Sequence, residues 1–286
     1  MSEQNIFNLI TQEYYQLTAS EKKLAGFVMA NGQKAQMMSI SELSEQCEVA
    51  QATISRFCRK MGYEGYSAFR LAIAAATAGN SYSGAPLSGE IQPEDSLSAL
   101  SDKIAGAEIT AINETKALIK GDTLREAADV LQQADKVLCM GQGASMLMAE
   151  ETAHLFTTVF PGYFAVADSH MQMIHTANLT DRDAIIYFSY SGSTTDLQDV
   201  LRVAKKRGAR TILITRFPRS PGAEKADLVL QCGFTESPLQ LGSITARIAQ
   251  LYLIDVLFSE VCRRDVEHCK RRREQVADAL SDKHTL

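Results

Sequence analysis

The sequence predicts two domains, an all-α bundle followed by an α/β domain on a parallel sheet, and three observations carry that prediction. Residues 1 to about 78 show helical periodicity and no strand-like run. Residues 79–96, GNSYSGAPLSGEIQPEDS, are rich in Gly, Ser and Pro and lack an apolar period, so they read as a linker or exposed loop. From residue 136 onward, short apolar runs alternate with helical segments, the pattern of βαβ units with right-handed crossovers. A chain of 286 residues has room for two domains at about 100–200 residues each. The expected division is 1–78, 79–96 and 97–286.

In the first domain Ser20, ahead of Glu21, Lys22, Lys23, Leu24 and Ala25, is expected to open a helix. The segment SISELSEQCEVAQATISRFCRKMGY (39–63) then has the spacing of a helix-turn-helix. Ile40, Leu43 and Cys47 share one face of a short first helix, and Val49 begins the turn. Ile54, Phe57, Cys58 and Met61 make the buried stripe of a second helix. The remaining face carries Gln51, Ala52, Thr53, Ser55, Arg56 and Arg59, residues suited to reading base edges in the major groove. Arg59, Lys60 and Arg70 are expected nearer phosphates, where they position the protein on the duplex. Between Val49 and Ala74 the net charge is +3, so the rest of a chain of net charge −5 carries −8. One basic face on an acidic protein favours a defined orientation on double-stranded DNA. Glu48 stands where such a turn favours Gly for a left-handed backbone, at a cost of about 1–2 kcal/mol. Ser44 takes the small-residue position between the two helices.

The second domain opens with helices expected over 97–119 and 121–134. The strand KVLCM (136–140) leads through GQGAS into a helix ending near Val159, and GYFAV (162–166) is the next strand. Asp168, Ser169 and His170 read as a helix cap and first turn. Met171, Met173 and Ile174 form an apolar stripe on that helix and are expected to face the core. Strands AIIYF (184–188), TILIT (211–215) and DLVLQ (227–231) follow, with a helix over 195–207, and a long helix from about Ile244 to Val261 closes the domain. The basic run Lys270, Arg271, Arg272, Arg273 reads as a solvated helix face.

The most informative stretch is Ala184 to Asp196, AIIYFSYSGSTTD. An apolar strand breaks into Ser189, Ser191, Gly192, Ser193, Thr194 and Thr195, and a helix follows at once. The first N–H groups of that helix have no internal partner and its dipole is positive there, so the turn is suited to an anion. Hydroxyls donate to phosphate oxygens without a charge of their own, which makes a phosphorylated small molecule the natural ligand.

Other classes recede. The six cysteines show no CxxC pair and read as reduced core thiols. Cys262, His268 and Cys269 lack the spacing and the fourth ligand of a metal site, so no metal or cofactor is expected. The N-terminus does not read as a signal peptide, and no run approaches the roughly 18 apolar residues of a membrane span. The expected location is the cytoplasm.

The two halves together resemble the RpiR family of bacterial transcription regulators, an N-terminal helix-turn-helix domain joined to a C-terminal sugar isomerase (SIS) domain. The matching stretches are SISELSEQCEVAQATISRFCRKMGYEGYSAFRLAI, then MGQGAS (140–145), FSYSGSTTD (188–196) and SITARIAQLYLIDVLF (243–258). The resemblance implies a doubly wound domain with a five-stranded parallel sheet that binds phosphosugars at the carboxyl ends of its strands. It implies that Ser189, Ser191 and Thr194 bind phosphate, that Gly192 and Ser193 complete the cradle, and that Ser145, after Gly141 and Gly143, faces the sugar or its phosphate. Glu236, in TESP, is placed to touch a sugar hydroxyl.

A phosphosugar isomerase would need a base beside a carbonyl. Glu150, His154, His170, His175 and Glu236 are the candidates, but no spacing forces a His/Glu pair together. A kinase regulator that binds phosphosugars without binding DNA would not explain Gln51 to Lys60. The expected function is a regulator of sugar-metabolism genes, a repressor, whose phosphosugar effector modulates its operator binding. A homodimer or homotetramer would present paired reading helices to a palindromic site. Hexose-derived, pentose and amino-sugar phosphates all fit.

Overall fold

The computed structural model describes residues 5–79, 94–233 and 244–281, which fall into two compact units divided between Ile104 and Ala105. The first unit is helical: α1 (Ile6–Glu13), α2 (Ala19–Ala30), α3 (Gly32–Ala35), α4 (Ile40–Cys47), α5 (Gln51–Lys60) and α6 (Tyr66–Gly79), with the start of α7 (Leu97–Leu118). Side chains set its helix starts. Helix α2 opens at Ala19, one residue before the expected Ser20, because Thr18 and Glu21 cap each other reciprocally. Ser39 and Glu42 do the same for α4. The core gathers Ile10, Leu24, Val28, Leu43, Ile54, Phe57 and Phe69, all fully buried. Each such side chain contributes about 1.5–3 kcal/mol by leaving water. Phe69 takes both Phe57 and Tyr63 edge-on, each at 5.7 Å.

The second unit is a five-stranded parallel sheet with helices on both faces. Its strands are β1 (Lys136–Gly141), β2 (Tyr163–Ala165), β3 (Asp183–Phe188), β4 (Arg210–Thr215) and β5 (Leu228–Gln231), in the order β2-β1-β3-β4-β5. The helices are the rest of α7, α8 (Gly121–Gln133), α9 (Ala144–Thr157), α10 (Ser169–Ala177), α11 (Thr195–Arg207), α12 (Ile244–Cys262) and α13 (Val266–Ser281). Central β3, Asp-Ala-Ile-Ile-Tyr-Phe, is buried at all six positions, as a strand covered on both faces requires. Its Ala184, Ile186 and Phe188 pack with α8, α9 and α12, whereas Ile185 and Tyr187 pack with α10 and α11. Two matching clamps fix the strand starts. Asp183 accepts from the Thr180 N–H and hydroxyl, and Asp227 accepts from the N–H and hydroxyl of Thr211.

Two expectations need correction. The second strand is the short edge strand Tyr163–Ala165 rather than 162–166. The stripe of Met171, Met173 and Ile174 does not face the core: Met171 and Ile174 are exposed, and only Met173 packs inward. The inward face of α10 is polar instead, with Gln172 and Thr176 fully buried. Gln172 faces inward because its amide has backbone carbonyls to satisfy there.

Candidate functional site

The strand order places a crevice before any side chain is considered. Chain order reverses between neighbouring β1 and β3, so α9 leaves the end of β1 on one face of the sheet and α11 leaves the end of β3 on the other. Ligands of open α/β sheets bind outside the strand carboxyl ends at such a switch point. Gly141 pairs with Phe188 at this edge, which sets the loop Gln142–Ala144 beside the loop Ser189–Thr194.

In the first loop, a Cβ on Gly141 would lie 2.6 Å from the Ser145 carbonyl oxygen, so only Gly lets α9 start this close to β1. Gly143, at φ 55° and ψ −126°, caps α9 without a side chain and faces open space. Ser145 is half-buried in the first turn of α9, and its N–H donates to the Gln142 carbonyl at 3.1 Å.

The second loop is braced by its own hydroxyls. Buried Ser189 accepts from the Gly192 N–H at 3.2 Å, and Ser191 accepts from the Ser193 N–H at 3.3 Å. Both roles use oxygen lone pairs and leave each O–H available to donate. The exposed Ser193 donates its O–H to the Ser191 carbonyl at 3.0 Å. Gly192 turns the chain at φ +61°, and a Cβ there would fall 2.0 Å from the Ser220 Oγ. Its carbonyl accepts from the Gly222 N–H at 2.8 Å. Thr194 is the N-cap residue of α11, yet its side chain caps nothing, and its Oγ1 is buried with no hydrogen-bond partner. The first N–H groups of α11 thus have no side-chain cap, and an orphaned hydroxyl stands beside them. Asp196, in the first turn of α11, is the acidic neighbour of this cradle.

Glu236 lies outside the described residues. The other acid–base candidates, Glu150, His154, His170 and His175, are all exposed, and His154 faces Glu151 at 3.7 Å. Sequence reasoning passed over Gln142, Gln172, Tyr187 and Ser220. Gln142 sits in the GQGAS motif as a residue between its glycines, Gln172 and Tyr187 carry no motif, and only the fold brings them to this edge.

In the first unit, α4 and α5 are joined by a turn in which Glu48 sits at φ 52° and ψ 45°, the left-handed conformation expected of this position. The Ser44 hydroxyl closes the turn by donating to the Val49 carbonyl at 2.6 Å. Gln51, Ala52, Arg56 and Arg59 are exposed along α5, with Thr53 and Ser55 half-buried beside them. Gln51 donates to the Ser41 hydroxyl at 3.1 Å, and Arg56 reaches Thr53 at 3.4 Å. Lys60, expected nearer phosphates, is exposed and also has partners within the domain. Its ammonium is bound to the Gln16 carbonyl at 3.0 Å and to Glu21 at 3.3 Å, tying α5 to the start of α2. Burial pushes the Glu21 carboxyl up, but the Thr18 and Lys60 hydrogen bonds outweigh it and hold the group below its ordinary value.

Among the described residues no group of His, Cys, Asp and Glu could hold a metal, and no helix is long and apolar enough to cross a membrane. Two family profiles match the chain: the helix-turn-helix domain of the rpiR family over residues 4–80 and the SIS domain over residues 130–260. An HTH-type transcriptional regulator of Caldanaerobacter subterraneus subsp. tengcongensis is 31% identical over 277 residues, 97% of each chain. The HTH-type transcriptional regulator HexR of Pseudomonas aeruginosa is 29% identical over 276 residues, 95% of each chain. The fold is similar to that of the Vibrio vulnificus NanR protein complexed with ManNAc-6P, with a TM-score of 0.63 at 22% identity over 98% of this chain and 100% of that one. It is also similar to the sugar isomerase domain of an RpiR transcription factor from Sphaerobacter thermophilus, with a TM-score of 0.57 at 24% identity over 63% of this chain and 98% of that one.

Proposed function

The chain belongs to the rpiR family of HTH-type transcriptional regulators, and from that premise we propose that it represses sugar-metabolism genes under the control of a phosphosugar. It is a transcriptional regulator with a helix-turn-helix domain and a SIS domain. On the proposed reading, residues 1–78 bind a palindromic operator, 79–96 link, and 97–286 take the effector, in a cytoplasmic homodimer or homotetramer without catalytic activity. Gln51, Ala52, Thr53, Ser55 and Arg56 read bases, and Arg59 meets phosphate. The effector phosphate sits at Ser189, Ser191 and Thr194, and the sugar extends toward Ser145.

The observation that carries the reading is the buried, partnerless Thr194 hydroxyl at the uncapped start of α11. The exposure of Glu150, His154, His170 and His175 supports sensing over catalysis, and the ligand named for NanR, ManNAc-6P, supports the ligand class. The effector acts by linkage: it shifts operator affinity only by as much as it prefers one of two states of the protein.

The test pairs two variants. Arg56→Ala is expected to weaken specific DNA binding by about 1–3 kcal/mol, or roughly 5- to 150-fold, with effector binding unchanged. Ser191→Ala with Thr194→Ala is expected to abolish the effector response while operator binding survives. Loss of both activities in either variant, with the fold intact, would refute this division of labour.

A further inference from the structure

The hydroxyl loop accounts for a phosphate but not for the sugar attached to it. Gln142 lies in the other loop of the crevice, between Gly141 and Gly143, and its orientation is fixed from behind. Gln172 on α10 is fully buried, and its Nε2 donates both to the Gly141 carbonyl at 3.1 Å and to the Val166 carbonyl at 2.8 Å. With both N–H groups engaged, the Gln172 amide cannot flip without losing two buried hydrogen bonds. Its Oε1 must therefore accept, and it takes the Nε2 of Gln142 at 3.2 Å. Gln142 is held in turn through its Nε2.

Tyr187 pairs with Met140, one position before the strand ends, and its phenol is near the Gln142 amide and within electrostatic reach of the Asp196 carboxylate. The residue is 1% exposed, and its buried hydroxyl meets no hydrogen-bond partner among the described residues. Burial pushes the phenol up to about 12, so at neutral pH it keeps its proton and remains a donor. A buried hydroxyl without a partner is costly, and its place at a ligand crevice gives it a use.

We propose that Gln142 and Tyr187, positioned by Gln172, form a selectivity wall that reads the polar groups of the sugar while the Ser189–Thr194 loop holds its phosphate. The inference rests on the phosphosugar reading and adds the residues that choose among sugars. The wall offers a fixed amide oxygen, an amide N–H and a phenolic O–H. It suits a ligand with a hydroxyl or acylamino group beyond the phosphate, and inorganic phosphate cannot use it.

Isothermal titration of the full chain tests this with inorganic phosphate, arabinose 5-phosphate, glucose 6-phosphate and N-acetylmannosamine 6-phosphate. Wild type is expected to bind one of the sugars at least tenfold more tightly than inorganic phosphate. Gln142→Ala and Tyr187→Phe, the latter keeping the ring that packs under the site, are each expected to weaken that sugar tenfold. Their affinity for inorganic phosphate should change less than twofold, a split that a structural defect would not produce. If both variants keep the wild-type preference, the wall is refuted and the phosphosugar reading stands. If wild type binds neither phosphate nor any phosphosugar, the reading itself fails and the wall with it.

Discussion

Replacing Gly192 by Ala tests the cradle most severely, because two effects fall on one atom. The backbone there is left-handed, φ +61°, a conformation that costs an L-residue about 1–2 kcal/mol. The new Cβ would lie 2.0 Å from the Ser220 Oγ, 2.6 Å from the Ser220 Cβ and 3.2 Å from the Thr215 Oγ1. Ser220 cannot swing aside freely, since it is buried and its Oγ accepts from the Ala223 N–H. Overpacking of this kind adds about 1–3 kcal/mol, for a total of about 2–5 kcal/mol. In a unit of this size that lowers the melting temperature by roughly 5–15 °C. The relaxation moves the segment that carries Ser191 and Thr194, so phosphosugar affinity should fall more than tenfold. Adding Ser220→Gly removes the two shortest contacts and leaves the backbone strain. The two substitutions should therefore couple by about 1–3 kcal/mol in the mutant cycle, the backbone strain and the lost Ala223 hydrogen bond remaining in the double variant. Thermal unfolding and isothermal titration read the two quantities separately. A single variant that melts within a degree of wild type and binds phosphosugar equally well would refute both the geometry and the cradle.

Two further predictions concern the helical unit. Glu48→Gly relieves the left-handed strain at the turn but loses the exposed Lys23 pair and gains chain entropy in the unfolded state, so a net stabilisation of about 0.5–1 kcal/mol is expected; a lowered melting temperature would contradict a left-handed Glu48. Glu21→Gln keeps the capping geometry and removes the charge facing Lys60. Because the native carboxyl lies below its ordinary value of 4.5, its contribution is present above that pH and is lost as pH falls through the lowered native value. The variant should be less stable than wild type by about 0.5–1 kcal/mol at pH 7, a difference that shrinks toward zero as pH falls below the lowered native value. A difference that does not shrink on acidification would mean the carboxylate is not the cause.

What the sequence disclosed follows from how local each signal is. The strands at 136–140, 184–188, 211–215 and 227–231 stand close to their observed limits because a covered parallel strand is an unbroken apolar run. Helix α5 was legible because Ile54, Phe57 and Cys58 repeat at its period. The Ser189–Thr194 loop announced itself by composition, and the left-handed Glu48 by its place in the turn. Failures occurred where tertiary partners decide. Nothing local marks the partners of Lys60, since Gln16 and Glu21 lie some 40 residues earlier. Met171 and Ile174 looked like core, but α10 is turned by Gln172, whose carbonyl partners belong to other elements. Gln142 stands inside the MGQGAS motif, but nothing in the motif or in the apolar run around Tyr187 says that the two come near each other when β1 and β3 lie side by side.

The composition of the crevice also bears on what kind of binding it supports. Gln142 to Ser145 and Ser189 to Thr195 include no charged residue, so on the proposed reading phosphate is met by hydroxyls and helix N–H groups. Neutral hydrogen bonds contribute about 0.5–1.5 kcal/mol each, and those to a charged group about 1.5–3 kcal/mol. A handful of them, set against the cost of immobilising a small ligand, gives affinities of order micromolar to millimolar rather than nanomolar. Asp196 pushes in the same direction, because its carboxylate already occupies part of the positive end of α11 and an arriving dianion gains less there. Such a site releases its ligand as readily as it takes it up, and its occupancy follows the ligand concentration. That suits a sensor.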